Sequence, residues 1–282
     1  MASLRKMTSS HYRRHNLEQL VRAALNHAKQ LNKPFDHKII AAVDQFHIGG
    51  LAATLKMIEL AGFNPQDKVL DVGCGIGGAA RTIACTSNCH VTGVDLSEDY
   101  CQAARLISKQ LNMGNQTKFI RANALKMPFK KNSYSALWTQ HITMNICDKK
   151  ALMTEFYRVL KPAGQLLMYE VLCTTRANDS VNYPLPWAKE SKDSFLDNIH
   201  NYGALIHNCG FELNHLQDVS STAIVSIQRV IERIKQGGKK EPGLEIILGE
   251  SFLTMMENLL EALQNDRLSV VEFVATKPST PN

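Results

Sequence analysis

Glycines and two aspartates with the spacing of a ligand-binding turn occur near residue 70. An apolar stretch leads directly into Gly73, Gly75 and Gly78. Asp71 lies two residues before the first of these glycines, and Asp95 ends the next apolar stretch. Because glycine carries no side chain, a ligand can approach the backbone of such a turn closely. A carboxylate at the end of the second stretch can accept hydrogen bonds from both hydroxyls of a ribose.

The glycine spacing also satisfies the pattern of a dinucleotide-binding turn. The position of Asp71 is what distinguishes the two kinds of ligand. Asp71 would lie beside a helix N-terminus, where the pyrophosphate of a dinucleotide sits, and would repel it. S-adenosylmethionine has no phosphate, and a carboxylate attracts its ammonium and sulfonium groups. The pattern therefore favours S-adenosylmethionine over NAD. The alternative is that Asp71 caps a helix and that Asp95 belongs to a turn.

Residues 68–170 resemble the core of the class I S-adenosylmethionine-dependent methyltransferases. The resemblance is strongest to the small-molecule branch, which includes ubiquinone/menaquinone-biosynthesis and sarcosine/dimethylglycine methyltransferases. Three stretches carry it: Asp71–Gly75, Gly93–Ser97 and Arg158–Gly164. It implies an α/β fold with a Rossmann-like, doubly wound sheet of seven strands, the last antiparallel. It also implies methyl transfer from S-adenosylmethionine to an O, N or C nucleophile of a small molecule, with release of S-adenosylhomocysteine.

The cofactor contacts that the resemblance implies lie at the ends of several strands. Where the family usually has Gly-Asp-Ala after the third strand, this chain has Ala-Asn-Ala at 122–124. The amide oxygen of Asn123 can still accept a hydrogen bond from the adenine amino group, although without a charge. The cofactor-binding residues predicted are Asp71, Gly73, Cys74, Gly75, Gly77, Asp95, Leu96, Asn123, Ala124 and Gln140.

Methyl transfer needs the acceptor, the methyl group and the sulfur held in line, and it needs a base only where the acceptor must lose a proton. His141 follows the predicted fourth strand and is our first catalytic candidate. Related natural-product methyltransferases often carry a His-His pair in this loop. Met144 and Asn145 occupy those positions here, so His141 is not the direct equivalent of that base. The alternative is a structural or cofactor-contacting role.

Glu170, near the predicted end of the fifth strand, is the second catalytic candidate. Relatives often have an Asp near the acceptor at this position, and a carboxylate could orient a hydroxyl or an ammonium there. The alternative is a solvated carboxylate in a loop. Aromatic residues could form an apolar or cation-binding wall, or could simply fix a loop in place. The substrate-pocket residues predicted are Phe46, His47, Asn145, Tyr183 and Trp187.

Repeated alternation of strand-like and helix-like stretches predicts a parallel α/β sheet that positions these residues. The first predicted strand begins at Lys68. The other strands are predicted at His90–Val94, Thr117–Arg121, Tyr134–Thr139, Gln165–Val171, Glu212–Gln217 and Leu268–Thr276. Helices are predicted within residues 1–34, at Leu51–Ala61, Glu98–Leu111, Lys149–Leu160 and Asp193–Asn208, and from Thr222 to Leu263 with breaks at 237–238 and 242–243.

We expect a single methyltransferase domain over residues 1–282. Within it, residues 1–50 would form a helical cap, residues 51–171 the cofactor-binding core, residues 172–200 a lid insertion, and residues 201–282 the remainder of the sheet. A non-catalytic S-adenosylmethionine-binding sensor or partner subunit is the alternative, because the usual His pair is missing and Asn123 replaces an Asp.

The composition of the chain limits the kinds of partner that it can bind. The net charge of +6 is modest and spread along the 282 residues, apart from a basic start, and no Asn/Asp-Pro-Pro-Tyr/Phe motif follows the fourth strand. We therefore expect no nucleic-acid partner. Apolar runs are too short to span a membrane, which makes a cytoplasmic protein the default. The seven cysteines form no CxxC pair, and we expect reduced thiols and no metal site. The sequence leaves the oligomeric state open.

Overall fold

The computed structural model describes residues 17–31, 35–174, 181–236, 249 and 251–279. Several predicted features lie outside the described residues. They are the first part of the cap, the two predicted helix breaks and residues 175–180 of the predicted lid.

Seven strands form one mixed sheet in the order β3-β2-β1-β4-β5-β7-β6. They are β1 (Lys68–Val72), β2 (His90–Asp95), β3 (Thr117–Arg121), β4 (Tyr134–Gln140), β5 (Leu160–Cys173), β6 (Glu212–Asp218) and β7 (Leu268–Thr276). Strands β1 to β5 are parallel to one another, and β7 lies antiparallel between β5 and β6. The predicted fold class, including the antiparallel last strand, is confirmed.

Helices surround this sheet. They are α1 (Leu17–Gln30), α2 (Ala41–Asp44), α3 (Gly50–Ala61), α4 (Gly78–Ser87), α5 (Glu98–Gln110), α6 (Lys149–Val159), α7 (Ile199–Asn208), α8 (Ser220–Lys235) and α9 (Phe252–Gln264). The first of them lies within the predicted cap, and its buried apolar side chains pack against those of α5. None of the described helices is long and apolar enough to cross a membrane.

Apolar side chains on the two faces of the sheet form two core layers. Side chains of α3, α4, α8 and α9 cover one face, and those of α6 and α7 cover the other. The inner strands are buried on both faces, which explains why their sequences read as nearly continuous apolar runs.

Two predicted boundaries were wrong. The fifth strand, predicted to begin at Gln165, begins at Leu160. Ala163 has a left-handed backbone with φ +59°, and its N–H donates to the carbonyl of Lys277. The helix predicted from residue 193 begins at Ile199, because the side chain of Asn198 caps it by accepting from the N–H of Asn201.

The strand order places the functional end of the sheet. From β1 the chain runs outward to β2 and β3 and then returns to β4 on the other side of β1. Connections that leave neighbouring strands in opposite directions open a crevice at the carboxyl ends of those strands. The predicted cofactor residues follow β1, β2 and β3, and the catalytic candidates follow β4 or lie in β5, so both groups meet at this edge.

Candidate active site

The glycine turn, residues 73–78, connects β1 to α4. The N–H groups of Gly73 and Cys74 both donate to the carbonyl of Val94 in the neighbouring strand, at 2.8 and 3.0 Å. Gly73 has φ +74°, and a Cβ atom there would lie 2.1 Å from Cγ2 of Ile142. Only glycine fits this position, because both the backbone conformation and the neighbouring side chain exclude a larger residue.

Asp71 lies at the end of β1 beneath this turn and is almost fully buried. Its Oδ2 atom has no hydrogen-bond partner within the described structure. Burial, and secondarily the charge of Asp95, raise the pKa of Asp71 to about 7. A buried carboxylate oxygen without a partner is costly, and an ammonium group from a ligand would satisfy it.

Asp95 ends β2 and is fixed by two backbone donors. Its Oδ1 accepts from the N–H of Ser97 at 2.8 Å, and its Oδ2 accepts from the N–H of Gly75 at 3.0 Å. Burial raises the pKa of Asp95, and the backbone hydrogen bonds partly oppose that shift. Each oxygen keeps capacity for another donor, which is what two ribose hydroxyls would require.

The remaining predicted cofactor residues are placed in different ways. The sulfur of Cys74 is buried against Gly93, so its side chain packs in the core and its backbone alone borders the turn. Gly77 packs against the ring of Phe119. Leu96 follows Asp95 directly, in the bend between β2 and α5.

Asn123 and Ala124 follow β3, in an exposed turn. The side-chain oxygen of Asn123 accepts from the N–H of Leu125 at 2.9 Å. This local hydrogen bond occupies one lone pair of the oxygen that we expected to face adenine and leaves the other.

Gln140 closes β4 and is bound to α3 as well as to its own strand. Its Oε1 accepts from Nε1 of Trp138 at 3.0 Å and from Oγ1 of Thr54 at 3.4 Å. The amide group thereby joins the end of β4 to the helix that follows the cap.

His141 opens the acceptor loop, which we define as residues 141–146. Its Nδ1 lies 3.0 Å from the carbonyl of Tyr169 and carries the proton, while its Nε2 accepts from the N–H of Ile48 at 3.2 Å. Its ring also stacks on that of Tyr169. Burial lowers the pKa of His141 to about 4. Both ring nitrogens are therefore occupied in a neutral imidazole.

The cap turn, residues 45–50, lies over the glycine turn and the acceptor loop. The ring of Phe46 faces Gly75, where a Cβ atom would lie 3.3 Å from it. Nε2 of His47 lies 3.0 Å from the carbonyl of Gly50 and 3.0 Å from Oγ1 of Thr54. Burial, followed by the nearby His141, lowers the pKa of His47 to about 3, so its ring is also neutral.

A buried ion pair that the sequence analysis missed joins the cap to α4. Nη2 of Arg81 lies 2.7 Å from Oδ2 of Asp44, and both side chains are almost inaccessible to solvent. Arg81 also donates to the carbonyl of Ile76 in the glycine turn at 2.7 Å. An Asp and an Arg in separate helices give no local signal, which explains why spacing did not reveal them.

Glu170 lies inside β5 and is fully buried, so the alternative of a solvated loop carboxylate is wrong. Its Oε2 accepts from the N–H groups of Ile142 and Thr143, both at 3.1 Å, and from Oγ1 of Thr143 at 2.9 Å. Its Oε1 accepts from Oγ1 of Thr139 at 3.0 Å. Burial raises its pKa to about 7 against these hydrogen bonds. In this arrangement Glu170 holds the acceptor loop.

Lys149, a second residue that the sequence analysis missed, contacts the same loop from α6. Its Nζ donates to the carbonyls of Thr143, Ile146 and Phe195 at 2.9, 2.7 and 2.5 Å. Burial lowers the pKa of Lys149 to about 8. Placed at the start of a predicted helix, it looked like an ordinary surface residue.

The lid segment, residues 181–198, carries the aromatic residues predicted for the substrate pocket. Trp187 is buried in the main core layer, and its Nε1 donates to Oγ of Ser194 at 2.9 Å. Tyr183 packs partly buried against the same layer. Asn145 belongs to the single turn of 3₁₀ helix within the acceptor loop. The contacts of Trp187 match the alternative in which an aromatic residue fixes a loop.

Two surface cavities lie away from these residues. One of about 210 Å³ lies at the opposite end of the sheet, between the start of β4 and the start of β5. The other, of about 580 Å³, lies between α5 and β3. Among the described residues, no group of three His, Cys, Asp or Glu side chains could hold a metal ion.

Comparison with known proteins agrees with the fold and the glycine turn. Residues 69–164 match a family described as the methyltransferase domain. This range includes the glycine turn, Asp95 and the acceptor loop. Over this range, about a third of its length, the chain is similar to the methyltransferase domain.

Curated relatives include a sterol 24-C-methyltransferase of Saccharomyces cerevisiae, which is 30% identical over 164 residues, 57% of this chain and 43% of the relative. Phosphoethanolamine N-methyltransferase 3 of Arabidopsis thaliana is 27% identical over 188 residues, 67% of this chain and 37% of the relative. The matches thus span less than half the length of these relatives.

Among solved structures, a putative sarcosine dimethylglycine methyltransferase from Galdieria sulphuraria superposes with a TM-score of 0.66 at 20% identity. The superposition covers 82% of this chain and 86% of that one. At this identity the likeness establishes the shared fold.

Proposed function

We propose that this protein transfers a methyl group from S-adenosylmethionine to a small molecule. The observation that carries the proposal is the buried Asp71 carboxylate, whose Oδ2 lacks a partner beneath the glycine turn. Asp71 would bind the ammonium group of the cofactor, Asp95 its ribose hydroxyls and Asn123 its adenine. When bound, the cofactor would supply a methyl group on a sulfonium sulfur. The acceptor would attack the methyl carbon in line with the carbon–sulfur bond, and the sulfur would leave as the thioether of S-adenosylhomocysteine.

The histidines of the site favour an acceptor that attacks without first giving up a proton. His141 has both nitrogens engaged, and burial holds His47 neutral with a pKa of about 3. A base with so low a pKa is poorly matched to a hydroxyl near neutral pH. We therefore propose as the nucleophile an amine that reaches the site in its neutral form, or a carbon–carbon double bond. The proton that the methylated product then loses passes to solvent. The relatives named above act, by name, on a nitrogen and on a carbon.

The protein's own residues would then align the reactants and exclude water rather than move protons. The cap turn and the lid segment both contact the acceptor loop. Segments that close over a site in this way exclude solvent and bring the reacting atoms together. For such a small-molecule enzyme we also propose a cytoplasmic location.

The cofactor assignment is tested by calorimetric titration of S-adenosylmethionine, S-adenosylhomocysteine and NAD into the wild type and Asp95→Ala. We expect both adenosyl ligands to bind the wild type and to bind the variant weakly or not at all. NAD should bind neither protein. Binding of NAD alone, or of no ligand, would contradict the proposal.

The acceptor class is tested with cofactor labelled in its methyl group. Phosphoethanolamine, a sterol with an unsaturated side chain and a simple phenol would be offered in parallel. We expect label in the amine or the alkene and none in the phenol. Efficient labelling of the phenol would show that a base acts at this site. Cofactor binding without label in any acceptor, across a wider panel of amines and alkenes, would favour the non-catalytic sensor.

A further inference from the structure

The acceptor loop has a conformation that its own sequence does not enforce. His141 has a left-handed backbone with φ +54°, which is unfavourable for a residue with a side chain. The rest of the loop contains a single turn of 3₁₀ helix, Thr143–Asn145, with no side-chain cap. A short, strained segment of this kind persists only where its surroundings hold it.

Glu170 holds the loop from the sheet side. One carboxylate oxygen collects three donors from the loop, namely two consecutive backbone N–H groups and the hydroxyl of Thr143. The other oxygen is anchored by Thr139 in β4. Hydrogen bonds to an ionised acceptor are stronger than neutral ones, so the charge suits Glu170 to this task.

Lys149 holds the loop from the opposite side. Its ammonium group donates to the carbonyls of Thr143 and Ile146. Thr143 is therefore bound at both ends, with its N–H on a carboxylate and its carbonyl on an ammonium group. The third carbonyl on Lys149 belongs to Phe195 in the lid segment.

The cap turn and the lid segment both contact this loop. From the cap, the N–H of Ile48 donates to Nε2 of His141. From the lid segment, the N–H of Phe195 donates to the carbonyl of Met144 at 2.7 Å. The position of the loop thus determines the positions of the cap turn and the lid segment relative to each other.

We propose that Glu170 and Lys149 are positioning residues for methyl transfer. Together they fix the acceptor loop, which both the cap turn and the lid segment contact. This rests on the proposed function for the transfer step, but the state of the loop can be measured without turnover. Neither residue is proposed to contact the acceptor or to exchange a proton with it.

The first experiment measures hydrogen exchange in the peptide 141–149. We expect Glu170→Ala to speed exchange of the Ile142 and Thr143 amides by about ten- to a hundredfold, because each loses a charged acceptor. Glu170→Gln should restore most of the protection, since its amide oxygen can accept from the loop and its amide nitrogen can donate to Thr139. Lys149→Met should loosen the same peptide.

A matched control is Glu272→Gln. Glu272 is another buried glutamate, on the adjacent strand β7, and it pairs with Lys56 rather than with the acceptor loop. We expect the exchange of peptide 141–149 in this variant to equal that of the wild type. If Glu170→Ala does not fold, Thr143→Val removes one donor to Glu170 and should give a smaller change in the same direction.

The second experiment measures turnover with the acceptor that the wild type methylates, together with cofactor affinity. We expect Glu170→Ala to lower kcat by about a hundredfold through misplacement of the acceptor. Its Kd for S-adenosylmethionine should stay within about threefold of the wild type, a change under 1 kcal/mol. Glu170→Gln should recover most of the lost kcat.

Three outcomes would overturn the assignment. They are unchanged exchange in peptide 141–149, faster exchange spread equally over β5 and β7, and a Glu170→Gln variant as impaired as Glu170→Ala. Failure of the wild type to bind S-adenosylmethionine would instead reject the proposed function, and the exchange data would still decide whether Glu170 and Lys149 fix the loop.

Discussion

The ends of β1 and β2 and the ends of β4 and β5 lie side by side, but they use their polar groups in opposite ways. On the cofactor side, Asp71 keeps a buried oxygen without a partner, and Asp95 keeps spare acceptor capacity. On the acceptor side, His141 and Glu170 are already hydrogen-bonded to the protein. The first half is thus incomplete without a ligand, whereas the second is complete without one.

This contrast indicates how the two ligands would be recognised. A ligand on the cofactor side gains by satisfying a buried charge, so a strong polar interaction is available to it. A ligand on the acceptor side finds few unsatisfied groups among the residues described, and shape would decide its fit. The two halves meet where Gly73 packs against Ile142, which lies on the acceptor loop.

The largest effect is expected from Gly73→Ala, which breaks the contact between the halves. The new Cβ atom would lie 2.1 Å from Ile142, at a φ of +74°. We expect a loss of about 2 to 5 kcal/mol in the free energy of unfolding, measured with urea. Adding Ile142→Ala should recover the steric part of it.

Gly114→Ala is the control for this substitution, because a Cβ atom there meets nothing within 4 Å. We expect it to change stability by less than about 0.5 kcal/mol. Equal stability of Gly73→Ala and Gly114→Ala would show that the two halves are not in firm contact.

The next largest effect is expected from Asp71→Asn, which tests whether the Asp71 carboxylate binds the cofactor. Removing the charge should weaken S-adenosylmethionine binding by about ten- to a hundredfold, as measured by calorimetry. Asp99→Asn, an exposed aspartate in the first turn of α5, should leave the affinity unchanged. Similar affinities for Asp71→Asn and the wild type would contradict the role of Asp71.

The same variant makes a prediction about pH in the absence of ligand. Asp71 has a pKa of about 7 when folded, against an ordinary 3.8. A carboxyl group whose pKa is raised by folding stabilises the folded state at low pH. That stabilisation is lost as the pH rises from about 4 through 7. Asp71→Asn should therefore melt higher than the wild type at pH 8, and the difference should vanish near pH 4. A lower melting temperature for the variant at pH 8 would show that the charge stabilises the apoprotein.

His141→Asn tests whether the acceptor side works without a histidine base. Asparagine tolerates the left-handed backbone, so the substitution keeps the loop conformation. It removes the acceptor for the N–H of Ile48, the ring donor to the carbonyl of Tyr169 and the stacked ring. We expect kcat to fall by less than about tenfold and the pH dependence of kcat between pH 6 and 8 to stay as in the wild type. Loss of a titrating limb together with a thousandfold drop would identify His141 as a base.

The smallest effect is expected from Trp187→Phe in the lid segment. The substitution removes the hydrogen bond to Ser194 and keeps an aromatic ring in the core, which should cost about 1 kcal/mol of stability. KM for the acceptor should not change. A large rise in KM without loss of stability would place Trp187 in the substrate pocket after all.

The sequence predicted the local structure around Asp71 and Asp95 better than the contacts of His141 and Glu170, and the reason is the distance between contacting residues. Asp71, Gly73 and Gly75 lie within one strand and turn, so a few neighbouring residue types suffice to predict the local structure. Asp95 ends the adjacent strand, and the order of elements predicts that too. The buried strands were located for the same reason, since the apolar pattern of each is contained within it. Strand β6 is exposed along most of its length and carries no such pattern.

The acceptor side depends on contacts between segments far apart in the chain. Glu170 binds backbone groups of a loop 27 residues earlier, and His141 accepts from the backbone of Ile48. Backbone donors leave no trace in residue types, so no pattern could show that these side chains were already occupied. The roles of Lys149 and of the Asp44–Arg81 pair were missed for the same reason.

The cap turn has a consequence for the order of events during turnover. It is tied to α4 by Asp44 and Gln45 and to the acceptor loop by Ile48, and its Phe46 ring faces Gly75. A cofactor lying along the glycine turn must pass this ring, so we expect the cofactor to bind before the acceptor and its product to leave last. Departure of S-adenosylhomocysteine would then limit the steady-state rate, and a burst of methylated product would precede it.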